Sequence, residues 1–262
     1  MDAFRTPFLD FFRRGEVARD IRLVAAQGAL APRAHEQLAL LVLLVGDADA
    51  EVAMTAEHTL QSIPAPALAA FLARSDVPSE LRAFFAERGV LPSATAVAAD
   101  VNLPLVDAVS EPPPEPEGVE ADGDTDRLTS TLSRIAAMSP IQRISLALKG
   151  TREERAVLIR DSNKLVSMAV LSSPKIGESE VESIAKMANV SEEVLRVIGG
   201  SRAWMKNYSI AVSLAKNPKT PVALSMNLLS RLNDRDLKAL CADRNVPDVL
   251  RVTARKKIVV PH

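Results

Sequence analysis

Residues Ser201-Arg202-Ala203-Trp204-Met205-Lys206-Asn207-Tyr208 hold the only tryptophan and the only tyrosine of a 262-residue chain. On a helix, Trp204 and Tyr208 fall one turn apart on one face, with Arg202 and Lys206 one turn apart on roughly the opposite face. That grouping suits a peptide or a nucleotide base, with an aromatic anchor beside cations that attract carboxylate or phosphate. The competing use is structural: the two rings continue the buried face of Ala211 and Ala215 and fill the gap between helices. Asn163 and Asn207 carry the same two readings, since an asparagine caps a helix through its side chain or holds the backbone of an extended peptide. Lys164, Lys219, Arg251 and Arg255 complete the candidate partner-binding set through positive charge.

Catalytic patterns are missing around these residues. His35, His58 and His262 stand apart with no metal-ligand spacing, and there is no HExxH, CxxC, GxGxxG or GxxxxGK[ST]. Lys149-Gly150-Thr151 resembles the end of a phosphate loop but lacks its first glycine, and Thr151 is better used as a helix cap. Cys241 has no histidine nearby and shares an apolar face with Leu237 and Leu240, which reads as a packing thiol. The acid pairs Glu153-Glu154, Glu192-Glu193 and Asp234/Asp236 sit at helix starts, where negative charge meets free N–H groups. No catalytic, metal or cofactor-binding residue is assigned, and no enzymatic activity is expected.

Charge divides the chain. Residues 1–126 hold 9 Lys and Arg against 21 Asp and Glu, a net −12; residues 127–262 hold 23 against 12, a net +11. An excess of that size exceeds what solubility requires and points to an acidic partner. Eight of the acids lie within residues 101–126, which contain no Lys or Arg. With Ser110-Glu111-Pro112-Pro113-Pro114-Glu115-Pro116-Glu117-Gly118 at its centre, this stretch reads as an extended tether, and the apolar residues of Ala94 to Val109 (Val97, Val101, Leu103, Leu105, Val106) offer themselves for docking on the first domain. The tether's acids are placed to compete with an acidic ligand for the basic half. A single cysteine excludes an internal disulfide and suits the cytoplasm. The apolar run Leu38–Val45 is far shorter than the roughly 20 residues of a membrane helix and reads as buried core. Met1-Asp2-Ala3-Phe4 lacks the pattern of a secretion signal, and Phe4, Phe8, Phe11 and Phe12 read as a stripe packed on a neighbouring helix, so no membrane partner is expected.

Leu, Ala and Val dominate the apolar side chains while aromatics make up 3%, a mixture that favours helices. Pro32, Pro66, Pro78, Pro140, Pro221 and Pro247 each lead an apolar-periodic run, Gly28, Gly46, Gly89, Gly150 and Gly199 close such runs, and Thr151-Arg152-Glu153-Glu154 is a capping box. Residues 161–174 align without gaps to 205–218 at an offset of 44, matching Asn163 to Asn207 and Pro174-Lys175 to Pro218-Lys219. A second element occurs as Val77-Pro78-Ser79, Val190-Ser191-Glu192 and Val246-Pro247-Asp248, each predicted to start a helix. This spacing lies in the range of HEAT and armadillo arrays.

Leu214-Ala215-Lys216-Asn217-Pro218-Lys219-Thr220-Pro221, with Leu228-Leu229, and Leu240-Cys241-Ala242-Asp243-Arg244-Asn245-Val246-Pro247 resemble leucine-rich repeat variants, helical relatives of HEAT-like solenoids. The likeness covers roughly residues 140–257 and, more faintly, 47–88; the intervals between the repeated turns are unequal. It implies an α-solenoid and a binding role, with no catalytic site to carry over. The expectation is an all-α protein: a helical domain over 1–95, an acidic Pro/Glu-rich tether over 96–126, and a HEAT-like α-solenoid of right-handed helical repeats over 127–262. Its expected role is non-enzymatic protein–protein interaction or scaffolding, binding an acidic protein or peptide through the basic C-terminal domain. The alternative is nucleic-acid binding through the same surface, directed at the backbone because stacking aromatics are scarce.

Overall fold

A computed structural model of the chain describes residues 6–93, 104–106 and 124–259. Most of the expected tether, Phe4 and His262 lie outside the described residues. Among the described residues there is no strand, and no helix is long and apolar enough to cross a membrane. The helices run in the order α1 (Pro7–Arg13), α2 (Arg19–Ala26), α3 (Ala34–Val45), α4 (Ala50–Ser62), α5 (Ala65–Leu72), α6 (Ser79–Glu87), α7 (Asp124–Ala137) and α8 (Pro140–Lys149). They continue with α9 (Arg152–Leu158), α10 (Lys164–Ser172), α11 (Glu178–Lys186), α12 (Glu192–Gly200), α13 (Tyr208–Lys216), α14 (Val222–Leu228), α15 (Asp234–Ala242) and α16 (Asp248–Val259). Short 3-10 turns cover Trp204–Lys206 and Leu229–Arg231.

These residues form two compact units. The first takes those up to Arg155 together with Asn163–Lys175; the second takes Ala156–Ser162 and the residues from Ile176 onward.

In the first unit, Thr6 caps α1 by accepting from the Leu9 N–H at 3.4 Å, and Phe8, Leu9, Phe11 and Phe12 are buried where α1 packs on α3 and α10. Helix α3 is apolar on nearly every side and packs against α4, α2 and α1, leaving Ala39, Val42 and Leu43 partly exposed. Glu36 and Gln37 on it are buried as well, at 5% and 0% exposure. Burial pushes the Glu36 carboxyl up to about 7, against the pull of the Arg33 charge. Burial also pushes the His35 imidazole down to about 4, with Arg33 and Arg74 adding to the shift and Asp76 opposing it. Glu36 Oε1 has no hydrogen-bond partner and stands 3.9 Å from His35 Nε2.

Caps set most of the remaining boundaries. Ser139 and Gln142 form a capping box at α8, and Thr151 and Glu154 form another, with the Thr151 N–H donating to Glu154 Oε2 at 2.7 Å and the Glu154 N–H to Thr151 Oγ1 at 3.4 Å. Glu154 also accepts from Arg134, which fastens α7 to that corner. Pro78 and Pro221 act as the N-cap residue itself, while Pro140 occupies the first turn. Gly199 departs from the expected punctuation: it lies inside α12 rather than after it. A Cβ there would meet Leu224 Cδ2 at 2.4 Å, so this glycine serves a close side-chain approach. Val77, Val190 and Val246 are all buried, each just before a helix start.

Candidate functional site

The second unit carries Arg202, Lys206, Lys219, Arg251 and Arg255 of the basic residues singled out in the sequence, while Lys164 belongs to the first. The segments 44 residues apart share their local geometry. Asn163 (φ −80°, ψ 114°) and Asn207 (φ −79°, ψ 117°) are both N-caps, accepting at 3.0 Å from the Leu165 and Ser209 N–H groups respectively. Nine helical residues follow in each case, α10 and α13, and each helix ends in an extended residue, Ser173 or Asn217. Both of these bond forward and backward. Ser173 Oγ accepts from the Lys175 N–H at 3.4 Å and donates to the Leu148 carbonyl at 2.9 Å. Asn217 Oδ1 accepts from the Lys219 N–H at 2.9 Å, and its Nδ2 donates to the carbonyls of Ala185 (2.7 Å) and Met187 (2.9 Å) at the end of α11. Asp243 closes α15 in the same way, accepting from the Asn245 N–H at 2.9 Å.

Within the second unit these turns border an open groove of about 450 Å³, lined by Lys186, Ser213, Lys216, Asn217, Asp243 and Asn245 with Ala188, Val212 and Pro218. Two lysines stand over it. Lys186 pairs with Glu182 at 2.6 Å in an exposed i,i+4 bridge. Lys216 reaches Asp236 at 3.2 Å. The Asp236 carboxylate accepts from the Tyr208 hydroxyl at 2.7 Å, and that hydroxyl accepts in turn from the Asn233 N–H at 3.1 Å. These contacts hold Asp236 below the usual carboxylate range, the Tyr208 bond being the largest cause and Lys216 adding to it. The Tyr208 phenol is raised, first by desolvation and then by Asp236.

The predicted residues fall into separate places. Trp204 and Tyr208 do not share a helix: Trp204 sits half-buried in the 3-10 turn, Asn207 breaks the chain in an extended conformation, and Tyr208 begins α13 at 40% exposure. Asn207 Nδ2 additionally donates to Glu178 at 2.8 Å. Arg202, Lys206, Lys219 and Arg255 are exposed. Arg251 is half-buried and paired with Asp248, while its carbonyl accepts from the Cys241 thiol at 3.6 Å. Lys164 is exposed in the first unit, next to the capping Asn163. The structure thus joins Tyr208 to Lys216 through Asp236, and places Asn217 and Lys186 at the groove. Lys186, Lys216 and Asn217 lie outside the candidate set read from the sequence, although Lys216 and Asn217 belong to the segment 205–218 that aligns with 161–174.

The first unit has a second concavity, about 360 Å³, between α3 and α6, where Val42, Leu43, Leu81 and Phe84 form an apolar floor rimmed by Arg13, Glu80 and Glu87. Among the described residues no group of three or more His, Cys, Asp or Glu side chains is placed to hold a metal ion. Compared with models of protein families, with curated proteins and with solved structures, the chain matches none.

Proposed function

We propose that the chain is a non-enzymatic interaction or scaffold protein whose basic C-terminal part, residues 127–262, built from leucine-rich-repeat-variant or HEAT-like solenoid repeats, binds an acidic protein or peptide. The observation that carries this reading is the groove bordered by successive turns, with Lys186 and Lys216 over it and Lys219 exposed on the Asn217 turn. The backward bonds of Asn217 fix the turn, so these cations project from a rigid frame and little ordering is needed on binding. The Lys186–Glu182 bridge is exposed and therefore weak, which leaves the ammonium available to a competing carboxylate.

The test is fluorescence anisotropy of a labelled Asp/Glu-rich dodecapeptide titrated with the full chain at low and high salt, beside the same titration with generic duplex DNA. The reading expects peptide binding that Lys186→Glu/Lys219→Glu weakens by about tenfold or more, roughly 1.4 kcal/mol. Binding of DNA with steep salt dependence, unaffected by excess peptide, would replace it with backbone-directed nucleic-acid binding. Equal binding of peptide by native and reversed-charge chains would remove the groove from consideration.

A further inference from the structure

Gln37 lies in the interior of the first unit, fully buried on a helix whose remaining residues are Leu, Ala and Val apart from the adjacent His35 and Glu36. A primary amide has two N–H donors and one oxygen with two lone pairs, and all four are engaged here. Nε2 donates to the Gly28 carbonyl at 2.9 Å and to the Val106 carbonyl at 2.9 Å. Oε1 accepts from the Leu105 N–H at 2.7 Å and from the Val106 N–H at 3.1 Å. Three of the four bonds therefore go to one short piece of chain nearly seventy residues away, and two successive N–H groups converge on a single oxygen as they do in a backbone nest.

The wall behind the amide is built for close approach. Gly28 adopts φ +86°, where a side chain is strained, and a Cβ there would lie 3.1 Å from Gln37 Nε2, 3.5 Å from Thr59 Cγ2 and 3.8 Å from Val106 Cβ. Without an occupant, the oxygen and one N–H of a buried amide would lose their partners, which a folded interior strongly disfavours. The occupant is recognised through its backbone, so its chemistry is general: a bent peptide offering two successive N–H groups and the second residue's carbonyl, with apolar side chains beside Gly28.

We propose that Gly28, Gln37 and Thr59 form a peptide-binding clasp, filled in cis by Pro104-Leu105-Val106 and able to take the same tripeptide from a separate chain. The clasp lies in the first unit and is distinct from the groove of the second. The covalently attached segment competes at an effective concentration on the order of millimolar, so a peptide in trans binds well only when the cis segment is disabled.

The experiment uses the full-length chain carrying Leu105→Pro/Val106→Pro, which removes both N–H donors, and a fluorescent peptide of residues 101–109. The peptide is expected to bind this variant at least about tenfold more tightly than the native chain, and Gln37→Leu added to the variant is expected to abolish that binding. Equal binding to native and variant chains, no binding to the folded variant, or binding that survives Gln37→Leu would each overturn the clasp. If the double-proline variant fails to fold, hydrogen exchange on the native chain decides. An excess of unlabelled peptide must speed exchange of the Leu105 and Val106 amides by displacing them, and unchanged exchange at peptide concentrations of several times the rough millimolar effective concentration would overturn the proposal.

Discussion

Replacing Glu36 with glutamine should change how stability depends on pH, in a direction fixed by where the carboxyl sits. Its folded pKa is about 7 against a reference of 4.5, because burial disfavours the charge more than Arg33 restores it. A carboxyl whose folded pKa is raised is held neutral by the fold. It imposes no cost below about pH 4.5, an increasing cost between about 4.5 and 7, and the full cost above that. The difference between about 7 and 4.5 corresponds to roughly 3 kcal/mol; relaxation around the charged form reduces this, so about 1–3 kcal/mol is expected. Glutamine keeps the shape of the neutral acid and cannot ionise. Urea denaturation of the native and Glu36→Gln chains should therefore give a stability difference that moves in favour of the variant by about 1–3 kcal/mol between pH 4.5 and pH 8. His35 titrates in the opposite sense. Held neutral with a pKa of about 4, it costs stability as pH falls below its unfolded value of about 6.5, and it cancels in the comparison because both chains carry it. A native-minus-variant difference that stays constant from pH 4.5 to 8 would refute the reasoning, since the carboxyl would then be ionised without cost.

Three further substitutions probe the second unit. Asn217→Ala removes two buried bonds to the Ala185 and Met187 carbonyls and the turn bond from Lys219, and should cost about 2–3 kcal/mol in chemical denaturation; a loss below about 0.5 kcal/mol would mean that the turn does not depend on it. Gly199→Ala brings a methyl against Leu224 and should destabilise by about 1 kcal/mol, the overpacking exceeding the gain in helix propensity; a raised melting temperature would show that Leu224 moves aside freely. Trp204→Ala should cost about 2 kcal/mol, less than the 3–5 typical of a fully buried ring because this one is half-exposed. Unchanged stability with loss of peptide binding would identify Trp204 as part of the recognition surface.

The local punctuation of the fold was legible in the sequence. The Thr151/Glu154 box, the capping asparagines at 163 and 207 and the helix starts after Val77, Val190 and Val246 all depend on bonds within a few residues, so their signal is carried by neighbouring residue types. What stayed hidden depends on distant partners. The packing of α1 on α10 joins residues more than 150 positions apart, and nothing local to either helix announces it. Glu36 and Gln37 precede the apolar run Leu38–Val45, and nothing local marks either polar side chain as buried; the structure buries both, one neutralised and one fully bonded. The aromatic pair was misplaced for a related reason. Helical spacing from Trp204 to Tyr208 assumes a continuous helix, but the Asn207 side chain captures the Ser209 N–H and starts a new one. Gly199 resembles a stop signal in the sequence, but its role is to leave room for Leu224.

The backward bonds of Asn217 also govern how the second unit would respond to mechanical load. A chain pulled from its ends transmits tension through its turns in series, and a turn held only by its own backbone yields first. Asn217 instead bridges to Met187 across 30 residues, and together with the packing of α11 on α13 it closes α12, the Trp204 turn and α13 into one loop shielded from the load until both the bonds and the packing give way. Their failure would free that loop at once, lengthening the chain by roughly 100 Å at about 3.3–3.6 Å per residue. Extension of the second unit would then proceed in a step at the asparagine that also shapes the groove.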